Sequence, residues 1–363
     1  MKKKLILFMP SIEGGGVEKN FFIISNYLAT KFDNVTLVTI SKIHKNRLNK
    51  KIKIIAPNSN IFTNFGRRFK FIISIFYLFK EIVKNKDSTV LCFQGLLYCT
   101  FFCKFFSTKI IIRSNSSPSG WSKNIIKNYL YKTIYGWADK IIVNSLDFKN
   151  ELYKRFKLES ICIYNPLNKK EILKNSKKNI RIKFFENKSY KLISVARFTE
   201  QKDHECLVKA INLLKDKYRI RLLLLGYGPT QKKIETLINN FKLKKNIKIL
   251  PFQNNPYPFI KKSQLFILSS KYEGLPNSLL EAIVLNKPVI SSNCPSGPKE
   301  ILDNGKGGLL FPIGDYKSLA KKIELFTKNQ IIFFDKKKYA KRRLERFNYK
   351  KRLNDYATTI NGL

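Results

Sequence analysis

A chain of 363 residues, 44% of them apolar, is long enough for two medium domains and can bury a core in each, which excludes disorder over most of its length. Its 70 Lys and Arg against 25 Asp and Glu give a formal charge of +45, so an anionic lipid or nucleic-acid surface would attract it. Six cysteines (Cys92, Cys99, Cys103, Cys162, Cys206, Cys294) without a C-x-x-C pair read as buried, reduced thiols of a cytosolic protein, and only two histidines, His44 and His204, exclude a histidine-rich metal site.

The opening MKKKLILFMP is basic and then apolar, as a signal peptide is. Its apolar run is short and no small-residue cleavage site follows, so it reads as a first strand. No later segment reaches the roughly 18 uncharged apolar residues of a membrane span. Runs of strand length at 5–9, 34–40, 90–93, 109–113 and 140–144 alternate with helical patterns such as 17–31 and 67–85. That is the rhythm of a parallel sheet covered on both faces. SIEGGGVEKN (11–20) follows the first strand and opens a helix; its glycines let backbone approach a ligand, but it is not the G-x-G-x-x-G dinucleotide fingerprint. The stretch 67–84, basic at both ends and apolar between, reads as an interfacial membrane helix or a core-facing one. LLYCTFFCKFF (96–106) offers the same two readings, the core-facing one being preferred. The polar, basic segment 164–189 has no strong period and reads as a linker. Strand-like runs resume at 190–198, 218–228, 246–252, 265–270 and 287–293, and the basic tail 335–363 reads as helical. Two successive α/β halves follow from this, Rossmann-like in each case.

The second half carries the chemistry. In SSKYEGLPNSLLEAIVLNKPVI (269–290), KYEGLP is the exit loop of a buried strand. A helix starts near Asn277 or Ser278, with Pro276 at its N-terminus, Asn277 as cap, and Lys-Pro stopping it after Asn286. Glu273 then sits in a loop at the carboxyl edge of the sheet, where open α/β sheets bind ligands, and Glu281 lies one turn into the helix. Carboxylates accept hydrogen bonds from sugar hydroxyls, and a helix start favours phosphate. Taken alone, the pair also reads as two solvated acids near a helix start. SVARFTEQKD (194–203) puts Arg197 just after a strand and Lys202 five residues on. A departing diphosphate needs cations there, each charge-assisted bond contributing about 1.5–3 kcal/mol. No Asp-x-Asp occurs to hold Mn²⁺ or Mg²⁺, which leaves these cations and helix N-termini in the metal's place. LLGYGP (224–229) and SSNCPSGPKEIL (291–302) read as tight turns or as ligand contacts.

The motifs R-F-x-x-Q-K-D, E-G-L-P-N-S-L-L-E and C-P-S-G-P-K-E-I-L with GGLLFPIGD, across about 190–320, resemble the retaining glycosyltransferases of family 4, which have the GT-B fold. EGGGVEKN and IIIRSNSSP extend the resemblance to bacterial transferases that build surface polysaccharides, O-antigens or lipid-linked oligosaccharides. It implies two Rossmann-like domains facing each other across a cleft: an acceptor-binding domain at 1–168, a nucleotide-sugar domain at 169–340, and a C-terminal helix, 341–363, packing back on the first. It also implies that Glu281 holds the donor's ribose. Glu273, with the backbone of Gly274, Leu275, Pro276 and Asn277, holds the sugar. Arg197 and Lys202 hold the diphosphate, and Gly15 and Gly16 lie near the phosphates. Retention in such enzymes is attributed to same-face attack, with the leaving phosphate taking the acceptor's proton.

Many members carry a histidine on the N-terminal side of the cleft, and this chain has none between His44 and His204. Gln94 or Arg113–Asn115 occupies that region, and Arg113 is the candidate acceptor- or phosphate-facing residue, with a surface or core-edge arginine as the other reading. The expectation is a metal-independent transferase without cofactor. It would move a hexose or N-acetylhexosamine from a UDP-sugar to a glycan acceptor, polyprenyl-diphosphate-linked, while sitting peripherally on the cytoplasmic face of an anionic membrane. A GT-B epimerase, a nucleic-acid-binding protein and a Rossmann oxidoreductase are the alternatives. The second has no RNP, KH or zinc motif in its favour, so no nucleic-acid partner is expected.

Overall fold

Short runs rich in Ile, Leu and Val have no polar face to offer water, so they form strands covered on both sides. The computed structural model describes residues 4–12, 15–58, 60–115, 118–121, 124–186 and 188–363. In chain order its strands are β1 (Leu5–Phe8), β2 (Val35–Val38), β3 (Ile52–Ile55), β4 (Thr89–Cys92), β5 (Lys109–Arg113), β6 (Lys140–Val143), β7 (Ile161–Cys162), β8 (Tyr190–Val195), β9 (Ile220–Leu225), β10 (Ile247–Leu250), β11 (Leu265–Leu268), β12 (Val289–Ser292) and β13 (Leu309–Phe311). The helices are α1 (Gly16–Leu28), α2 (Arg67–Val83), α3 (Leu96–Phe105), α4 (Ile125–Gly136), α5 (Leu146–Phe156), α6 (Lys169–Asn175), α7 (His204–Leu214), α8 (Gln231–Asn240), α9 (Tyr257–Lys262), α10 (Asn277–Val284), α11 (Pro298–Ile301), α12 (Tyr316–Lys328), α13 (Ile332–Arg343) and α14 (Tyr349–Asn361).

These elements make two compact units. The first is Met1–Pro166 with Tyr349–Leu363, the second Leu167–Asn348. Each holds one all-parallel sheet, ordered β3-β2-β1-β4-β5-β6-β7 in the first and β10-β9-β8-β11-β12-β13 in the second. Both are Rossmann-like. The strand order turns back between β1 and β4 in one sheet and between β8 and β11 in the other, which marks the switch points where such sheets take ligands.

In the first unit, Phe21 and Ile24 of α1 and Leu353, Tyr356 and Ile360 of α14 cover one face of the sheet. Leu78 of α2, Cys99 and Cys103 of α3 and Phe148 of α5 cover the other. Each fully buried side chain of this size contributes about 1.5–3 kcal/mol. In the second unit, α7 and α12 supply Leu207, Ile211, Leu319 and Phe326 to one core. No helix among the described residues is long and apolar enough to cross a membrane.

The segment 164–189 is not a linker. Beyond Pro166 the chain enters the second unit at once: Asn168 caps α6 by accepting the Glu171 N–H, and Ile172, Ile182 and Phe185 are buried. The segment's buried residues are spaced irregularly among lysines and leave no periodic signal. The boundaries fall at 166/167 and 348/349 rather than 168/169 and 340/341. The short strands β3, β7 and β13 also lie outside the sequence reading.

Arg113 ends β5 and is fully buried. Its Nε donates to the Tyr356 hydroxyl at 2.7 Å, one terminal nitrogen to Asn165 Oδ1 at 2.8 Å and the other to Asn115 Oδ1. The guanidinium also stands 5.8 Å from the centre of the Phe93 ring. The expected acceptor- or phosphate-facing role is therefore corrected: all three nitrogens are committed to neutral acceptors, two of them buried, and the bond to Tyr356 ties α14 to the end of β5.

Replacing Arg113 by Leu strands two buried acceptors, Tyr356 and Asn165, and the half-buried Asn115, so we expect a loss of about 3 kcal/mol in urea unfolding, and about 1–2 kcal/mol for Tyr356→Phe. Losses below about 0.5 kcal/mol in both would show that the anchor is not needed.

Candidate functional site

The second unit's site is built from two strand exits. After β8 the chain runs against the exit of β9: Ala196 N–H donates to Leu225 O at 3.0 Å, Phe198 N–H to Tyr227 O at 2.8 Å, and Thr230 N–H to Phe198 O at 3.1 Å. This approach requires glycine at 228. With φ at +154°, a Cβ there would stand 2.2 Å from the Phe198 carbonyl oxygen. The glycines of LLGYGP thus serve backbone packing. The β8 loop then makes a 3₁₀ turn, Glu200–Lys202, before Asp203 caps α7 by accepting the Cys206 N–H at 3.4 Å.

The exit of β11 is bonded to this same loop. Ser269 Oγ donates to Lys202 O at 2.8 Å, Lys271 N–H to Gln201 O at 2.7 Å, and Gln201 Nε2 to Tyr272 O at 2.8 Å. β8 and β11 flank the switch point, so these bonds fix the two loops on which a ligand would rest. They hold Lys202 Nζ 2.5 Å from Glu273 Oε1, with both side chains largely buried. Ser270 Oγ donates to the same carboxylate oxygen at 2.6 Å, and Ser296 Oγ to the Glu273 carbonyl at 2.9 Å. A buried carboxylate is tolerable only with such partners.

From Glu273 the chain passes through buried Gly274, Leu275 and Pro276 into α10. The PSGP turn shapes this passage: at Gly297, with φ at +83°, a Cβ would lie 2.4 Å from Gly274 O and 2.8 Å from Pro276 Cδ. Pro276, not Asn277, occupies the cap position, and Asn277 is the first helical residue. Proline fixes φ there without needing a side-chain cap. Starting at the strand's carboxyl edge, α10 leaves its first N–H groups at that edge. Glu281, 5% exposed, lies in its second turn. Asn286, at φ +56°, ends the helix region.

Of the expected donor residues, the structure joins Lys202 and Glu273 directly and places Glu281 on the helix that follows the same loop. Arg197 is exposed on the β8 loop and makes no ion pair among the described residues. In the first unit, Gly15 precedes α1 and Gly16 begins it, while Gly14 lies outside the described residues. The β1 and β4 exits are joined there by the Ser11 N–H donating to Gln94 Oε1 at 2.9 Å. Arg113 sits in the interior. Ser116 and Ser117 of IIIRSNSSP are outside the described residues. Sequence reasoning gave no role to Gln201, Ser270 and Ser296, although Gln201 is the glutamine of R-F-x-x-Q-K-D, Ser296 the serine of C-P-S-G-P, and Ser270 the second serine after β11.

His204, the first residue of α7, is 2% exposed and stacks on Phe198 with centroids 4.3 Å apart. Neither ring nitrogen has a hydrogen-bond partner. Burial, and then the charge of Lys202, push its pKa down to about 3.

Residues 175–347, most of the second unit, match the family described as glycosyl transferases group 1. The chain is 25% identical over 366 aligned residues to the N-acetylgalactosamine-N,N'-diacetylbacillosaminyl-diphospho-undecaprenol 4-alpha-N-acetylgalactosaminyltransferase of Campylobacter jejuni, covering 95% of this chain and 96% of that one. It is 31% identical to the capsular polysaccharide biosynthesis glycosyltransferase CapH of Staphylococcus aureus, over 62% of this chain and 64% of the relative. HepE of Anabaena, solved in complex with UDP and glucose, superposes with a TM-score of 0.80 over 99% of this chain and 100% of its own, at 15% identity. Both of these relatives are glycosyltransferases by name, and the two Rossmann-like units match the GT-B fold.

The low pKa of His204 has a thermodynamic consequence. Unfolded, the ring titrates near 6.5; folded, near 3. Its contribution is whole above the unfolded value and is lost as pH falls from there toward 3. Replacing His204 by Phe should therefore lower the pH slope of unfolding free energy between pH 6 and 4 by about 1.4 kcal/mol per pH unit, read from urea titrations. An unchanged slope would contradict this.

Proposed function

We propose that this chain, whose second unit matches the group 1 glycosyltransferases, is a retaining, metal-independent transferase. It moves a hexose or N-acetylhexosamine from a UDP-sugar to a lipid-linked glycan in bacterial surface polysaccharide synthesis. The single observation that carries this reading is the Lys202–Glu273 pair at the switch point of the second sheet. It places a cation and a hydroxyl acceptor side by side, beside a helix start. Lys202 and Arg197 would neutralise the diphosphate as it departs, Glu273 and the Gly274–Asn277 backbone would hold the sugar, and Glu281 the ribose. The absence of Asp-x-Asp from the sequence supports cations in the metal's role.

The lipid-linked acceptor draws on the diphospho-undecaprenol substrate in the C. jejuni relative's name, and the polysaccharide setting on the S. aureus relative's. The UDP donor draws on the HepE complex. An epimerase on the same fold is not favoured, because the relatives are transferases. Retention follows the resemblance: the leaving phosphate takes the acceptor hydroxyl's proton as that oxygen attacks from the same face, so no protein nucleophile is required.

Glu281→Ala should raise the donor Kd by about 10- to 100-fold, the worth of one charge-assisted hydrogen bond, as measured by titration calorimetry. Arg197→Ala should lower kcat more than it weakens donor binding, because charge on the diphosphate grows toward the transition state. Unchanged kinetics in both would remove the assignment. Slow donor hydrolysis in a panel of UDP- and GDP-sugars should persist in EDTA; a loss restored by Mg²⁺ would contradict the metal-free reading.

A further inference from the structure

One face of the first unit is unusually apolar for a surface. Of the 28 large hydrophobic side chains exposed among the described residues, 14 fall between Phe69 and Trp137. They belong to α2, α3 and the α4 region. On α2, Phe69 is 64% exposed; on α3, Phe105 is 75%; on α4, Ile126 is 78%. The helices share one surface. Phe79 of α2 packs on Phe106 beyond α3 with ring centroids 5.2 Å apart, and Phe101 of α3 on Trp137 beyond α4 at 6.1 Å. Inward, the same helices bury Leu78, Cys99, Cys103 and Tyr135 against the sheet. α3 packs inward through its cysteines, while Tyr98, Phe101 and Phe105 are exposed.

The charge on this face has one sign. From Gly66 to Ala138 the sequence holds twelve Lys and Arg against two acids, Glu81 and Asp87. Glu81 is buried and paired with Lys4. Lys80, Lys84, Lys104, Lys127 and Lys132 are exposed among the aromatics, and Lys80 Nζ stands 4.4 Å from the Phe76 ring centre. Apolar rings beside long cationic stems suit the boundary between acyl chains and anionic headgroups.

We infer that α2, α3 and α4 form a docking face for an anionic lipid bilayer. A second copy of the chain is a poor occupant, since it would bring the same lysines against each other. Nucleic acid would satisfy the lysines but leave Ile72, Ile125 and Ile126 in water. A bilayer takes both. Lys and Arg find phosphates, the aliphatic and aromatic side chains enter the acyl boundary, and Tyr98, Tyr129 and Trp137 sit at the interface, where one end of the ring is wet. The face extends the proposed transfer reading by giving a lipid-linked acceptor a reason to be within reach.

The test is flotation of the full chain with vesicles of phosphatidylcholine alone or mixed with phosphatidylglycerol, without sugar nucleotide, so that its failure leaves the transfer reading standing. The chain should float with the mixed vesicles and much less with the neutral ones, and salt should weaken the binding. The double variant F101S/F105S should weaken it about tenfold or more, and K84A and K104A about fivefold each. Circular dichroism should show all of these folded. With the wild-type chain, bromine-labelled acyl chains should quench tryptophan emission through Trp137. No flotation on mixed vesicles, wild-type affinity in all variants, no quenching, or a solution dimer that F101S/F105S dissolves would each overturn the inference.

Discussion

The second unit's candidate site depends on one ion pair and the bonds around it. Lys202 and Glu273 lie 71 residues apart in sequence, on loops leaving β8 and β11, and meet with only 16% and 7% of their side chains exposed. A carboxylate this buried is expensive unless it is compensated. The compensation is local: one lysine, one serine hydroxyl on the same oxygen, and a second serine holding the carbonyl behind it. Because each partner is fixed by backbone bonds between the two loops, the pair is held in place rather than found by chance. Such a pair contributes little to stability compared with the apolar cores on either side of the sheet. Its value is position.

Much of this was legible from sequence, for identifiable reasons. Strands buried on both faces are continuous runs of Ile, Leu and Val, so β1, β5, β8 and β9 announce themselves. The Gly-Leu-Pro break between Glu273 and Glu281 marks a loop followed by a helix start, and the structure has both. What stayed hidden is what lacks period or length. β7 has two residues and β3 carries a lysine at its centre, so neither rises above a basic background. The segment holding α6 reads as a linker because its buried residues are spaced without a helical or strand period among many lysines. Arg113 shows a different limit. An arginine at a strand's end reads the same whether it turns outward to a ligand or inward to Tyr356, because its partners come from residues as distant as the C-terminal helix.

The two buried cations illustrate how environment decides role. Arg113 is enclosed by neutral acceptors, Tyr356, Asn165 and Asn115, and keeps all three of its nitrogens engaged. Its planar fork can satisfy three directions at once and is more weakly hydrated than an ammonium, which suits it to an interior anchor. Lys202 instead has a compact charge at the end of a flexible stem, bonded to one carboxylate oxygen at the sheet edge. It can turn toward a new anion without unbuilding a core.

That difference bears on where transfer chemistry can occur. On the proposed reading, a diphosphate arriving at the β8 and β11 exits meets an exposed Arg197 that has no ion-pair partner among the described residues, and a Lys202 that already has one. Arg197 attracts the diphosphate from the first encounter and holds it more strongly as negative charge gathers on the leaving group. Lys202 must divide its charge between Glu273 and the phosphate, so its interaction with the ligand strengthens as negative charge accumulates on the leaving group. Interactions that grow along the reaction coordinate accelerate the chemical step, whereas those equal in both states only tighten binding. The serine hydroxyl on Glu273 makes this division affordable in energy, because the carboxylate retains a donor while Lys202 leans away. The small hydroxyl of Ser270, invisible to any motif, thus belongs to the same device as the two charges it stands between.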